Sequence, residues 1–171
     1  MQYVYNDGGR AAAGFKGSAG DCVCRSVAIV TGLPYGEVYK RLSDGTGTQR
    51  ATRRTSKRAR SARSGINVKR KWFRDYMAEL GFAWVPTMRI GSGCKVHLAD
   101  GELPSGKLVV SVSKHYTAVI DGVIHDTHDP QREVHCVKPD HGGDLKQGEW
   151  RNENGICSIE RRCVYGYWVK K

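Results

Sequence analysis

The sequence holds no apolar run approaching the about 18 residues that a membrane-spanning helix requires, which excludes a helical membrane protein and predicts no membrane partner. Its opening, MQYVYNDGGR, lacks the apolar stretch of an export signal. That absence predicts a reducing compartment, the cytoplasm. Leucine is scarce, 7 residues against 17 valines, so strands are expected to form much of the core. No internal repeat is present. Nor is there a CxxC pair among the six cysteines, Cys22, Cys24, Cys94, Cys136, Cys157 and Cys163. Without an export signal these are expected as free thiols, metal ligands or catalytic groups rather than as bridges.

Acidic residues are missing from one long stretch, with none between Asp44 and Asp75. The chain has 171 residues, 28 Lys and Arg against 17 Asp and Glu, and a net charge of +11. Within it, residues 46 to 71 hold ten basic residues: Arg50, Arg53, Arg54, Lys57, Arg58, Arg60, Arg63, Lys69, Arg70 and Lys71. The remainder is nearly neutral, with 18 basic and 17 acidic residues left from the 28 and the 17. Residues 46 to 65 contain no large apolar side chain and cannot offset their ordering entropy, which predicts a mobile basic insert in a single domain over 1 to 171. Such an arm attracts phosphate backbones in a salt-sensitive, sequence-indifferent way, making nonspecific nucleic acid an expected polyanion partner. No aromatic residue interrupts it, so base stacking there is not expected.

Ahead of the insert, Asp21 precedes Val23, Val27 and Val30 at helical spacing, ending at Thr31-Gly32. A second helix starts after Pro34, with Val38, Tyr39 and Leu42 on one face. Behind the insert, Val68, Trp72, Phe73, Tyr76, Met77 and Leu80 form a third amphipathic pattern, stopped by Gly81. The period then changes. Residues 82 to 90 look extended, 108 to 113 read as a buried strand, and 115 to 120 and 123 to 128 read as a hairpin about Asp121-Gly122. Residues 129 to 155 are polar and read as loop, and 156 to 169 give one or two closing strands. Helices first and antiparallel strands after them predict an α+β fold, N-terminal helices packed on an antiparallel sheet.

Cys22 stands at the start of the first helix, where the macrodipole and unpaired amides favour a thiolate and can hold an oxyanion. Cys24 faces another side of that helix. A nucleophilic thiol needs a base, and the base an orienting group. With a two-residue turn at 121 and 122, the side chains of 115 and 117 share a face with those of 124, 126 and 128, so Asp126 lies diagonal to His115. Register therefore selects Asp126 to orient His115, with the second imidazole of His128 nearby. Taken singly, a helix-start cysteine is more often a small core hydrophobe and a strand histidine a satisfied polar residue. Competing for the same chemistry, His135, Cys136, His141, Cys157 and Cys163 could assemble a structural zinc site in the loop region, although the spacing of no pair is that of a standard knuckle.

The segments GDCVCRSVAIVTGLPYGEVYKRL and ELPSGKLVVSVSKHYTAVIDGVIHDTHD, with RCVYGYW near the end, resemble uncharacterised phage and bacterial proteins that have a papain-like cysteine-peptidase core. The order helix-start Cys, then His, then Asp one strand later is similar to bacteriocin-processing peptidases and other papain-like proteins. The resemblance covers residues 1 to 45 and 66 to 128 plus the last strand. It implies a papain-like fold with Cys22 as nucleophile, His115 as base and Asp126 as orienting carboxylate. It also implies a peptide or protein substrate, no cofactor, no metal, and host cytoplasm if the protein is phage-encoded. Papain-like enzymes usually place a Gln several residues before the cysteine to complete the oxyanion hole, but GFKGSAGDC has none; Asn6 or the Cys22 backbone N–H is the expected substitute. Two alternatives share the residues: acyltransferase or transglutaminase chemistry on the same triad, and a non-catalytic papain-like scaffold that carries the basic arm onto nucleic acid.

Overall fold

In a computed structural model that describes residues 1–49, 61–137 and 145–171, three helices lie against a six-stranded, mostly antiparallel sheet. The elements run β1 (Gln2–Tyr5), α1 (Cys22–Thr31), α2 (Tyr35–Gly47), a 3₁₀ turn (Ala62–Ser64) and α3 (Lys71–Glu79). Strands follow: β2 (Phe82–Pro86), β3 (Lys107–Val112), β4 (His115–Ile120), β5 (Val123–Asp126), β6 (Arg132–Val137), β7 (Glu149–Asn152), β8 (Gly155–Arg161) and β9 (Val164–Lys170). The main sheet has the order β1-β5-β4-β3-β9-β2, and a separate three-stranded sheet the order β6-β8-β7. The coarse expectation of an α+β architecture with helices on an antiparallel sheet is met. The one parallel pairing, β1 on β5, was not legible.

Two apolar layers enclose the main sheet. On one face Val27 and Val30 of α1, Val38 and Leu42 of α2, and Phe73 and Met77 of α3 pack on Val109, Ala118 and Trp168. On the other, Leu98 covers Leu108, Val110, Val119 and Ile124. Strand β3 is thus buried on both faces, which is why it lacks alternation. Helix α1 ends where the sequence says it must: Gly32 adopts φ 75° and its N–H bonds Ala28 O. The hairpin has the expected register, Ile120 opposite Val123 and Ala118 opposite His125, with Asp121 at φ 48° and Gly122 at φ 80° in the turn.

Asp21, just before α1, is not a side-chain cap. Its carboxylate is buried and clamped, Oδ2 at 2.7 Å from Arg10 Nε and at 2.5 Å from the Tyr35 hydroxyl, Oδ1 at 2.9 Å from Arg25 Nη1. The clamp joins the N-terminal loop, α1 and α2.

Three expectations are corrected. The polar segment 129 to 155 is not all loop: it contributes β6 and β7, which pair with β8. These strands escaped detection because Val134, Val137 and Ile159 are exposed, so little apolar alternation marks a buried face. The insert expected as mobile over 46 to 65 is ordered at both ends. Helix α2 runs to Gly47, Ala62 is 1% exposed, and Arg63 O accepts the Gly20 N–H, while residues 50 to 60 lie outside the described residues.

The cysteines are the third correction. Cys94 pairs with Cys163 and Cys136 with Cys157, leaving Cys22 and Cys24 as the free thiols. The reason lies in topology: β6 and β8 set Cys136 directly opposite Cys157, and a bridge joins residues 69 apart at Cys94 and Cys163. This spends the thiolates of the proposed zinc set; His141 lies outside the described residues. Disulfides persist in oxidising surroundings, so the pairing pulls against the expected reducing compartment. Among the described residues no helix is long and apolar enough to cross a membrane.

Two outcomes follow. Denatured without reductant, the protein should titrate two thiols with a chromogenic disulfide reagent, and six after reduction; six before reduction would refute the bridges. Asp21→Ala strands two guanidinium groups that are each largely buried, and should cost about 3 kcal/mol of unfolding free energy in a denaturant titration.

Candidate active site

The site lies where β4 begins, β5 ends and α1 starts. Cys22 is the first residue of α1, so its thiol sits among first-turn amides that have no intrahelical acceptor. Its backbone is fixed to the sheet by Ser26, one turn on. The Ser26 hydroxyl donates to Cys22 O at 2.8 Å and to Tyr116 O at 3.1 Å, tying α1 to β4 beside His115. Ser26 was not anticipated; the visible signal is a hydroxyl on an otherwise apolar helix stripe, where back-bonding to the i−4 carbonyl is expected.

His115 and Asp126 meet across the hairpin. His115 Nε2 lies 2.6 Å from Asp126 Oδ2, with both side chains largely shielded from water. Asp126 Oδ1 accepts the Thr127 N–H at 2.7 Å, which holds the carboxylate in plane. Because Asp126 engages Nε2, Nδ1 is the ring nitrogen left to face Cys22, and the thiol and the imidazole shift each other's protonation. The structure therefore brings Cys22, His115 and Asp126 into one connected chain. Cys24 points elsewhere, buried, with its sulfur 4.0 Å from Tyr35 O.

Electrostatics separate the two thiols. Burial pushes Cys24 up to about 12, keeping it protonated. Burial also opposes a thiolate at Cys22, but the hydrogen bond and charge of His115, a bond from the Tyr116 backbone and the Arg25 guanidinium together bring its pKa below the ordinary thiol value. For His115, burial disfavours the imidazolium, yet hydrogen bonds and charge from Asp126 and Cys22 raise it to about 9. Burial disfavours the Asp126 carboxylate, and the His115 contact outweighs it, holding Asp126 below its usual range. Both shifts favour the thiolate–imidazolium form of the pair over the neutral thiol and imidazole.

His128 comes next to this chain, its ring centroid 4.8 Å from that of His115 and its Nδ1 4.0 Å from Asp126 Oδ1. Burial, and then the neighbouring cations His115, Arg25 and Arg162, oppose its protonation, against the pull of Asp126. Ligand atoms of His115, Asp126 and His128 all lie within 4.8 Å of one another, a set that a cation could use only by breaking the His115–Asp126 contact.

Asn6 has a different position from the one expected for an oxyanion donor. Its N–H donates to Asp126 O at 2.8 Å and its Oδ1 accepts the Gly8 N–H at 2.8 Å, so it shapes the turn after β1. The helix-start amides are the donors next to Cys22. Of the predicted polyanion residues, Arg50, Arg53, Arg54, Lys57, Arg58 and Arg60 lie outside the described residues. Arg63 reaches back to Ser18 O at 3.4 Å, Lys71 pairs with Asp75 at 2.8 Å, and Lys69 and Arg70 are exposed beside α3.

Comparison with protein-family models, with curated proteins and with solved structures finds no match to this chain.

Alkylation of Cys22 by iodoacetamide should reach its plateau at a lower pH than that of an unperturbed cysteine, and His115→Ala should move the acid limb upward by removing the proton acceptor. An unshifted limb in both proteins would disconnect the pair. In stability, the His115 contribution is complete below about 6.5, the unfolded histidine value, and is lost as pH rises through about 9. The Asp126 contribution has the opposite sense, present above about 3.9 and lost as pH falls toward its depressed value. Unfolding midpoints across that range should therefore fall at both ends, and less so in His115→Ala.

Proposed function

We propose that the protein is a papain-like cysteine hydrolase, acting on a peptide, isopeptide or related acyl bond. The observation that carries this reading is the chain Cys22–His115–Asp126, with the 2.6 Å contact of His115 Nε2 to Asp126 Oδ2 leaving the other ring nitrogen to the thiol. Support also comes from the helix-start position of Cys22 and from the resemblance of the segments that surround all three residues.

The chemistry follows from the protonation states. The proton of Cys22 resides on His115, and the thiolate attacks the carbonyl carbon to form a tetrahedral oxyanion, stabilised by first-turn amides including that of Cys22. Collapse breaks the bond to the amine, which leaves with the proton from His115. The product is a Cys22 thioester. Water, deprotonated by His115, then adds to the thioester; the acid is released and the thiol regenerated. Asp126 holds the imidazole in one tautomer and orientation and stabilises its cation through both steps. Where an amine takes the place of water, the same steps make an acyltransferase.

The basic segment supplies none of the three catalytic side chains. In a second arrangement of roles it brings the protein to a polyanion through exposed cations such as Lys69 and Arg70, without touching Cys22. Salt dependence of oligonucleotide retention, with and without residues 50 to 60, measures that part separately.

With a panel of N-acyl peptide 4-nitrophenyl esters as probes, turnover should vanish in Cys22→Ala. It should fall by about 10² to 10⁴ in His115→Ala, the usual weight of general base catalysis. Asp126→Asn should lower kcat and shift the acid limb of its pH profile, since the imidazolium loses its partner. Mass spectrometry should find the acyl group on Cys22 in a quenched reaction. Turnover that survives in Cys22→Ala would end the proposal, and amide products formed from an added amine would identify the transferase form.

A further inference from the structure

Tyr116 separates the thiol from a cleft of about 730 Å³ on the α3 side of the sheet. Its carbonyl accepts the Ser26 hydroxyl that also bonds Cys22 O, and the residue lines the cleft. Cys22, His115 and Asp126 are not among the described residues that line the cleft; Tyr116, the neighbour of His115 in β4, is what it shares with the site. Its floor and walls are aromatic: Trp168 is buried beneath, whereas Trp84 and Tyr165 stay 39% and 40% exposed. Uncovered indole and phenol rings in a concave site provide apolar contact area of the kind that side-chain pockets use.

Among the described residues, the charged groups of the lining are all of one sign. Lys69 and Arg74 stand on the α3 side and Arg89 on the far wall, all three exposed, with no carboxylate among the described lining residues. None of the three is ion-paired by its side chain among the described residues. The wall that carries Arg89 is held in place: Thr87 Oγ1 donates to Val164 O at 2.5 Å, and Cys163, bridged to Cys94, contacts Met88 Sδ at 3.9 Å. The cations therefore belong to a braced wall.

We propose that this cleft binds the substrate segment next to the scissile carbonyl, and that the segment is an acidic peptide with an aromatic or large apolar side chain. The ring packs against Trp84 and Tyr165, and the peptide's carboxylates face Lys69, Arg74 and Arg89. A peptide suits the site better than a nucleic acid because the reactive group beyond Tyr116 is a thiol, whose chemistry is acyl transfer and which offers nothing to a phosphodiester. This rests on the cysteine-hydrolase reading and adds to it the class of substrate.

Three peptidyl chloromethyl ketones test it: acetyl-Glu-Glu-Phe, acetyl-Lys-Lys-Phe and acetyl-Glu-Glu-Gly. In each the Cys22 sulfur displaces chloride to form a thioether, so labelling is read as added mass on the Cys22 peptide. The Glu-Glu-Phe reagent should label on the order of tenfold faster than Lys-Lys-Phe, a gap that shrinks with added salt, and several-fold faster than Glu-Glu-Gly. In a variant carrying K69E, R74E and R89E, all exposed positions that leave the core intact, the charge preference should reverse while iodoacetamide reacts at the parental rate. If iodoacetamide is itself no faster than with an unactivated thiol, the hydrolase reading fails and the substrate assignment with it. If iodoacetamide is fast but the three ketones label alike, the hydrolase reading stands and the cleft assignment falls. Protection of Cys22 by excess oligothymidylate but not by acetyl-Glu-Glu-Phe-amide would also overturn it, in favour of a nucleic acid.

Discussion

A buried carboxylate decides where helix α1 begins. Asp21 is 1% exposed, and an anion in such a place is tolerated only when fully partnered. Two guanidinium groups and a phenol surround it, one from the N-terminal loop, one from the first turn of α1 and one from α2. Those partners converge on a single point, so the helix cannot slide by a residue without stranding charge. Cys22 is thereby set as the first helical residue, where amides and dipole act on its sulfur. Slid by two residues, the helix would put Cys24 at its start, and Cys24 is a thiol whose surroundings make it inert.

The sheet supplies what the helix cannot. The Asp121-Gly122 turn fixes the hairpin register, and register fixes which carboxylate meets which imidazole. Ser26 then couples the two layers, because its hydroxyl holds the carbonyls of both Cys22 and Tyr116. The same Tyr116 lines the aromatic cleft. Helix start, the beginning of β4 and cleft thus share one junction, and displacement of Tyr116 would disturb both the thiol and the cavity.

Disulfides do elsewhere what apolar burial does in the main sheet. The small sheet β6-β8-β7 leaves Val134, Val137 and Ile159 exposed and has Cys157 as its buried apolar group. A bridge between facing cysteines on β6 and β8 is what joins its strands besides the ladder. The second bridge braces the wall that carries Arg89. Linking positions distant in sequence restricts the unfolded chain, a form of stabilisation that needs little core.

What the sequence determined by itself was local. Helix stops such as Gly32, the Asp-Gly hairpin with its register, the helix-start cysteine and the acid-free basic segment all follow from short-range chemistry written in neighbouring residues. So does the same-face relation of His115 and Asp126, since a two-residue turn leaves one parity. Tertiary structure decided everything that required two distant segments to meet. It paired Cys94 with Cys163 across 69 residues, laid β1 parallel on β5, and drew Arg10 and Tyr35 to Asp21. It also built β6 and β7 from residues with no apolar periodicity, because their pairing depends on a partner strand and a disulfide and not on a buried face. The aromatic cleft belongs to the same class: its rings come from β2, β4 and β9, and only the order of strands in the sheet makes them neighbours.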